Sequence, residues 1–285
     1  MPHPSNHYSN LTHRPYDGSE PLFRIGLRPF VSDEWFDFGD SFDAFIAEKK
    51  RLMEDIPEKV FQAEADTIEA QQEVLELVSQ YLQEHALPMQ VPDVSLPPLL
   101  QAAMMVQDDL VIMRKSKDGW RLAAGSVCFP SSWSLQEKFG LPLHDVHGPV
   151  PEFNKGTRNA SMLERIFDNL QTGQPVERFN WSIYKDDALY NDDRSGEHMN
   201  QETDCFLRVE RQTLTKLPNS GDVLFTIRIY IDPLEALNSR VDKASIAKGF
   251  IGLLEDMNPD QLAYKKLDEG KDILITRLQK LVDAV

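Results

Sequence analysis

Two alternating segments decide the fold: Phe206-Leu207-Arg208-Val209-Glu210-Arg211-Gln212-Thr213-Leu214 and Val223-Leu224-Phe225-Thr226-Ile227-Arg228-Ile229-Tyr230-Ile231. Pro218-Asn219-Ser220-Gly221 lies between them, and this turn composition predicts an antiparallel hairpin. Because successive side chains of a strand point to opposite faces, Arg208 and Glu210 share one face while Arg211 lies on the other. Arginines in apolar strands are costly to bury, so these either pair with internal carboxylates or bind an anionic ligand.

Further strands and helices upstream complete the predicted sheet. A turn at Lys117-Asp118-Gly119 separates two apolar segments into a second hairpin. Helical segments follow, and then a strand from Arg178 to Tyr184. The order is therefore strand, strand, helices, strand, strand, strand. It predicts an α+β fold, a PAS-like antiparallel sheet whose inserted helices cover one face and leave a pocket between helices and sheet.

The remaining segments are predicted to surround this sheet. Residues 1–21 are polar and are expected to form a flexible N-terminal arm, and 22–98 a helical N-terminal layer. Residues 99–235 form the PAS-like domain, and 236–285 the C-terminal helices. The sequence has neither a signal-peptide core nor an apolar window of roughly 18 residues, so we expect a soluble, cytoplasmic protein.

Composition excludes several classes of function. The chain of 285 residues has 30 Lys+Arg against 46 Asp+Glu, a formal charge of −16. Such an acidic chain is not expected to bind nucleic acid or anionic lipid by neutralising phosphates. Its two cysteines, Cys128 and Cys205, exclude a disulfide scaffold, a cysteine-based zinc site and an iron–sulfur cluster held by four thiolates. Glycine-rich phosphate loops and the GxSxG motif of hydrolases are absent.

The segment richest in chemistry is a proline-stiffened loop at 141–154, which carries His144 and His147. Three interpretations of the two histidines follow from the residues alone. They are two ligands of a zinc hydrolase whose third ligand comes from elsewhere, for example His198. Alternatively, one of them ligates a haem iron, which needs a single protein nitrogen and an apolar slot for the macrocycle. In the third interpretation they are a hydrogen-bonded pair in an ordinary loop.

The chain resembles the haem-binding alpha subunit of bacterial haem-dependent oxidative N-demethylases, the dimethylamine-type monooxygenases. Three stretches carry the resemblance: Leu143 to Asn154 with His147-Gly148-Pro149-Val150-Pro151, Phe206 to Leu214 with Lys216-Leu217-Pro218 after it, and Phe225 to Tyr230. The resemblance implies that the PAS-like domain holds haem b. It also implies an oxygenase component that uses O2 to oxidise the N-methyl group of a small secondary methylamine and releases formaldehyde.

The same resemblance implies partner subunits. Electrons would come from NADPH through separate reductase subunits that carry a flavin and an iron–sulfur cluster. The two cysteines of this chain agree with a cluster located elsewhere. His147 is implied to be the axial iron ligand because it directly precedes Gly-Pro-Val-Pro, and His144 is the fallback. Asp145 is a candidate partner for fixing the imidazole.

Further site residues are expected around the haem. Candidates for contacts to its propionates are Arg208, Arg211 and Arg228, although Arg208 and Arg211 cannot both point into one pocket. The chemistry of an amine substrate suggests three catalytic candidates. Glu210 is expected to accept a hydrogen bond from a substrate ammonium, and Tyr184 or Tyr190 to line the pocket.

A PAS-type haem module that senses O2, CO or NO is the competing hypothesis. Sensors are usually fused to an output domain, and outside the predicted sheet this sequence offers only helical layers, which are too short for a kinase or cyclase. The zinc hydrolase is a third hypothesis, and it predicts a colourless protein with stoichiometric zinc. We therefore expect the oxygenase.

Overall fold

The computed structural model describes residues 8, 10–30, 32–39, 41–91, 93–192 and 204–283. Seven strands of these residues form one antiparallel sheet: β1 (Arg28–Pro29), β2 (Phe61–Ala63), β3 (Asp109–Ser116), β4 (Gly119–Ser126), β5 (Val176–Tyr184), β6 (Phe206–Lys216) and β7 (Val223–Pro233). The strands lie in the order β1-β5-β6-β7-β3-β4-β2. The predicted mixture of helices with one antiparallel sheet is confirmed.

Ten α-helices accompany this sheet in the described residues: α1 (Phe42–Asp55), α2 (Pro57–Val60), α3 (Ile68–Glu84), α4 (Pro98–Ala103), α5 (Leu135–Lys138), α6 (Leu143–Val146), α7 (Arg158–Asn169), α8 (Lys243–Asp256), α9 (Pro259–Lys265) and α10 (Lys271–Asp283). Short 3-10 helices lie at Ser32–Glu34, Ala65–Thr67 and Leu234–Ser239. Helices α5 to α7 are inserted between β4 and β5, where the sequence predicts them. None of the helices in these described ranges has the length and apolar content to cross a lipid bilayer.

The two predicted hairpins form the centre of the sheet. Strands β6 and β7 pair over their whole length, with Glu210 opposite Ile229 and Arg211 opposite Arg228. Strands β3 and β4 turn at Gly119, whose φ of +107° is a conformation that favours glycine. Strand β3 then pairs with β7, which joins the two hairpins. This register puts Glu210 and Arg211 on opposite faces.

The two faces are covered by different helices. Helices α8 and α10 pack on one face, in a core that includes Trp181, Val209, Tyr230, Phe250, Leu254 and Leu278. Helices α3 and α4 cover the same face further along, around Leu110, Ile112 and Leu224. Helices α5 to α7 face the other side, in a core that includes Val111, Met113, Leu122, Leu143, Phe167 and Leu214. The space between this second layer and the sheet is where the candidate site lies.

The N-terminal region differs from the prediction in two respects. Strand β2 comes from the segment predicted to be a helical layer, and at three residues it is too short for a periodic signal. Strand β1 lies in the stretch from Phe23 to Phe30, whose alternation predicts a short strand or an extended arm. Two side chains anchor residues 10–21, which were expected to form a flexible arm: Tyr16 is fully buried against Phe250, and Leu11 is buried, its amide donating to Asp232. The average composition of this segment is polar, but a few apolar side chains anchor it. Residues 1–7 and 9 of the expected arm lie outside the described residues.

Candidate functional site

A cavity of about 1060 Å³ lies between the sheet and helices α5 to α7. Its floor comes from β3 to β7 and its roof from the loops around α6 and α7; a further wall comes from residues 13–28. Apolar side chains that line it include Val111, Met113, Leu122, Leu143, Phe153, Leu163, Phe167, Leu214, Phe225 and Ile227. Ligand pockets usually measure about 300–1,000 Å³, so this one has room for a large ligand.

Of the two histidines of the 141–154 loop, His147 is the one that lines this cavity, directly after the end of α6. His13, from the N-terminal segment, lines the cavity as well. Its Nδ1 lies 2.8 Å from the Leu143 carbonyl, which can only accept, so Nδ1 carries the proton and donates. Nε2 then keeps its lone pair, and it makes no hydrogen bond with any described residue. Burial lowers the pKa of His147 to about 4, so the ring is neutral at pH 7. A neutral imidazole, fixed through one nitrogen and open at the other, is typical of metal-ligating histidines.

The second histidine of the loop does not share this position. His144 does not line the cavity, and its Nε2 is 3.5 Å from Oδ1 of the exposed Asp145. The expected role of Asp145 in fixing His147 is therefore wrong, because the Leu143 carbonyl does so instead. The physical reason is that His147 directly follows α6. The Leu143 carbonyl, four residues earlier, lies within reach of its ring there. Within the ranges that the structure describes, no three His, Cys, Asp or Glu side chains are grouped to hold a metal ion, and His198 lies outside those ranges.

Arg208 lies on the cavity side of β6, but its guanidinium does not line the cavity. It is fully buried and donates to Ser131 Oγ at 2.9 Å and to four backbone carbonyls, those of Phe129, Pro130, Ala188 and Leu189. Its donors are thus used within the protein. Arg208 ties two cavity-lining loops to the sheet, one at 129–133 and one at 186–192, and this does not fit the expected contact to a propionate.

Arg211 and Arg228 lie on the opposite face of the sheet, away from the cavity. Arg211 donates from Nε to Glu177 at 2.7 Å and to two backbone carbonyls of the segment before α1. Arg228 stacks on Phe45 and Tyr230, with 4.4 and 4.9 Å from its guanidinium carbon to the ring centroids. The expectation that these two arginines contact a propionate in the pocket is therefore wrong. Arg211 instead pairs with an internal carboxylate, that of Glu177, which is the other outcome expected for an arginine in an apolar strand.

Glu210 lines the cavity and is 6% exposed. Its Oε2 accepts from Gln212 Nε2 at 2.6 Å and from Asn180 Nδ2 at 3.3 Å. Its Oε1 has no hydrogen-bond partner in the part of the chain that the structure describes. Two amides thus orient the carboxylate, and one of its oxygens is available to a donor on a ligand.

Two cations of the cavity were missed in the sequence. Arg178 lines the cavity but makes no hydrogen bond or ion pair with any described residue, and its Nε is buried. Burial lowers the pKa of Arg178, and the charge of Glu210 partly opposes this. Lys265, at the end of α9, donates to Asn180 Oδ1 at 2.9 Å and to the Trp181 carbonyl. Burial lowers the pKa of Lys265 to about 7.

A signal for Arg178 was present in its strand. Arg178, Asn180, Ser182 and Tyr184 alternate with Phe179, Trp181 and Ile183, which predicts one polar face of β5. The register pairs Ser182 with Arg208 and Asn180 with Glu210, so this face continues the polar face of β6. No pattern in the sequence identifies Lys265 as a cavity residue, because it reaches the cavity through a tertiary contact between α9 and β5.

Tyr184 and Tyr190 both line the cavity. The Tyr184 hydroxyl is 2.8 Å from Ser132 Oγ, and the Tyr190 hydroxyl donates to Asp192 Oδ2 at 2.6 Å. Burial is the main cause that raises the pKa of each phenol above its usual value, so both are protonated at neutral pH. The structure therefore brings Glu210, both tyrosines and His147 to one cavity.

The residues present fit a haem. Nε2 of His147 offers one neutral nitrogen to an iron, and the apolar lining suits the macrocycle. Arg178 offers a guanidinium whose buried Nε has no partner among the described residues, which is costly unless an anionic group such as a propionate meets it. A zinc site would instead need a third protein ligand beside His144 and His147.

A family model described as haem-dependent oxidative N-demethylase, alpha subunit-like, matches residues 83–275, which is more than half of the chain. The match covers His147 and strands β3 to β7, and it confirms the resemblance seen in the sequence. The family's description specifies dependence on haem and oxidative demethylation, and an alpha subunit implies partner subunits. The chain therefore belongs to the family of haem-dependent oxidative N-demethylase alpha subunits and their relatives.

Proposed function

We propose that the chain is the haem-binding oxygenase component that N-demethylates a small secondary methylamine, such as dimethylamine, and releases formaldehyde. The observation that carries the proposal is His147, a neutral imidazole fixed by the Leu143 carbonyl whose Nε2 is open in a large apolar cavity. Haem b supplies the oxygen-activating chemistry when it is bound. His147 would hold its iron through Nε2 in this proposal, and Arg178 would take the propionate role first given to Arg208, Arg211 and Arg228.

The substrate amine binds at Glu210 in this proposal. The open Oε1 of Glu210 accepts the N–H of the amine, while Asn180 and Gln212 keep the carboxylate from rotating. The amine must lose its proton before its nitrogen lone pair is available for oxidation. Lys265 is bonded to the same Asn180, and its pKa of about 7 lets it take up or release a proton near neutral pH.

Oxidative demethylation also consumes protons. One O2, two electrons and two protons convert the dimethylamine into formaldehyde, methylamine and one water. Tyr190 holds a phenolic proton at the cavity and donates to Asp192, which is 29% exposed and lies 3.4 Å from Lys59. We assign the supply of protons to this pair and to Tyr184, whose hydroxyl meets Ser132.

The electrons come from partner subunits in this proposal, through a flavin and an iron–sulfur cluster that draw on NADPH. Both cysteines of the chain, Cys128 and Cys205, are buried and separate, which supports a cluster on another subunit. We also propose that the central sheet is PAS-like. Its support is the order β5-β6-β7-β3-β4 with α5 to α7 inserted between β4 and β5.

Haem binding is tested first by titrating haemin into the haem-free protein. His147→Ala should abolish stoichiometric binding, because the open Nε2 is lost. His144→Ala is the matched control: this histidine belongs to the same loop but does not line the cavity, so the variant should bind haemin like the wild type. Full haem content in His147→Ala would move the ligand elsewhere and remove the observation on which the proposal rests.

Catalysis is tested with the haem-loaded protein, a chemical reductant, O2 and dimethylamine, with formaldehyde as the measured product. Glu210→Gln should raise the KM for the amine by at least about tenfold, because a charge-assisted hydrogen bond is lost. Glu137→Gln, on an exposed position of α5, is the control and should leave KM unchanged. Normal haem and CO binding without formaldehyde from any N-methylamine would favour the gas-sensing module.

A further inference from the structure

A single segment of chain forms the wall between two cavities. We call residues 20–28 the strap. Apart from Pro21, all of them line both the main cavity and a second cavity of about 720 Å³. The far side of the second cavity is formed by α7 and the loop before it, at Glu152, Arg158, Asn159, Met162 and Ile166. A single extended segment of chain, the strap, therefore separates the main cavity from the second one.

The middle of the strap is held by side chains rather than by backbone hydrogen bonds. Between residues 20 and 27 the backbone makes no hydrogen bond with another described residue. Phe23 meets Tyr264 edge to face at 5.9 Å and the Lys265 ammonium at 5.8 Å, and Ile25 is buried in the core below. Segments with few backbone hydrogen bonds open locally at low free energy.

The two ends of the strap are anchored more firmly. At the C-terminal end Arg28 belongs to β1, pairs with β5 and forms an ion pair with Glu177 at 3.1 Å. Just before the N-terminal end the chain crosses α8 at Gly249 with a close backbone contact. A Cβ on Gly249 would lie 1.8 Å from the Asp17 carbonyl oxygen. Gly18, which has a φ of +83°, lies against the backbone of Gly249 at the same contact. A glycine at 249 is therefore required for the chain to reach its place.

We infer that the strap is a movable wall that determines which molecules reach the cavity, and that the contact of Asp17 and Gly18 with Gly249, just before the strap, holds it closed. The inference goes beyond the proposed function, since it rests on the two cavities and the anchors and not on a cofactor. The strap precedes the residues that the family model matches.

The test uses the haem-free protein, so that it stands whether or not haem binds. Gly249→Ala adds one methyl group where the Asp17 carbonyl lies, and the strap must move away. Gly252→Ala is the matched control, because a Cβ there meets nothing within 4 Å on the same helix. We measure trypsin cleavage after Arg24, whose side chain is 50% exposed, and the fluorescence of the apolar dye ANS.

We expect Gly249→Ala to be cleaved at Arg24 about ten times faster than the wild type and to bind more ANS, with Gly252→Ala at the wild-type values. Far-UV circular dichroism checks that both variants are folded. If Gly249→Ala fails to fold, Phe23→Ala takes its place, since it removes only the ring contacts of the strap and should give the same tenfold increase. Cleavage and dye binding at wild-type values in the folded variant would overturn the inference.

Discussion

Replacing Arg208 by methionine should separate the two loops that close one end of the cavity. The guanidinium of Arg208 is fully buried and donates to Ser131 Oγ and to carbonyls of both loops, at 2.8 to 3.2 Å. Methionine has similar length but no donor. Arg208→Met therefore leaves the four carbonyls and the Ser131 hydroxyl without their hydrogen-bond donor.

The magnitude follows from these five contacts. A hydrogen bond in a folded protein contributes about 0.5–1.5 kcal/mol net. Because Nη2 shares its two hydrogens among three carbonyls, the five contacts use four N–H groups and contribute roughly 2–6 kcal/mol. Part of this is offset, because a buried guanidinium without a carboxylate carries a desolvation cost that methionine does not. Burial indeed lowers the pKa of Arg208. We expect the free energy of unfolding to fall by about 3–5 kcal/mol, a large part of the roughly 5–15 kcal/mol that domains have.

Urea unfolding followed by fluorescence measures this change. Arg208→Lys should lose less than Arg208→Met, because lysine keeps the charge but offers three donors without the fork geometry. Arg165→Met, on an exposed position of α7, is the control and should change stability by less than about 0.5 kcal/mol. Acrylamide quenching of Trp133, in the loop that Arg208 holds, should increase in Arg208→Met. A loss below about 1 kcal/mol with unchanged quenching would refute the clamp role.

Two further predictions concern buried charges. Burial lowers the pKa of Lys265 from 10.5 to about 7, so the unfolded chain binds more protons between these values. The free energy of unfolding should therefore rise from pH 7 to 8.5, and Lys265→Met should remove this rise in urea unfolding; an equal rise in the variant would contradict the assignment. Asp109 accepts the amides of Cys128 and Phe129, at 2.8 and 2.9 Å, on its two oxygens. Asp109→Asn should cost about 2–4 kcal/mol, whereas the exposed Asp256→Asn should cost under about 0.5; equal losses would refute this role.

The sheet was predictable because its signals are local. The strands that contain Glu210 and Ile229 each alternate over their whole length, and a proline–glycine turn joins them, so the pairing needs no knowledge of distant contacts. The His147 loop was likewise visible, since prolines confine a histidine to one short segment. The short edge strand β2 carries no such periodic signal, and it was missed for that reason.

The roles of the arginines were not predictable in the same way. Alternation shows that Arg208 and Arg211 face opposite sides, but which side holds the cavity depends on how the helices are distributed. The acceptors of Arg208 lie in loops 19 to 79 positions away in the sequence. The packing of Tyr16 against Phe250 is another contact between distant segments, and the polar composition around Tyr16 hides it.

In the proposed function this cavity holds a haem, and His147 is its protein ligand. The most direct measurement is the ultraviolet–visible spectrum of the purified protein after haemin addition, oxidised and then reduced with and without CO. The account predicts a Soret band at one haem per chain that shifts with CO, and the loss of this bound spectrum in His147→Ala but not in His144→Ala. A colourless protein that takes up no haemin, or an identical spectrum in His147→Ala, would contradict it.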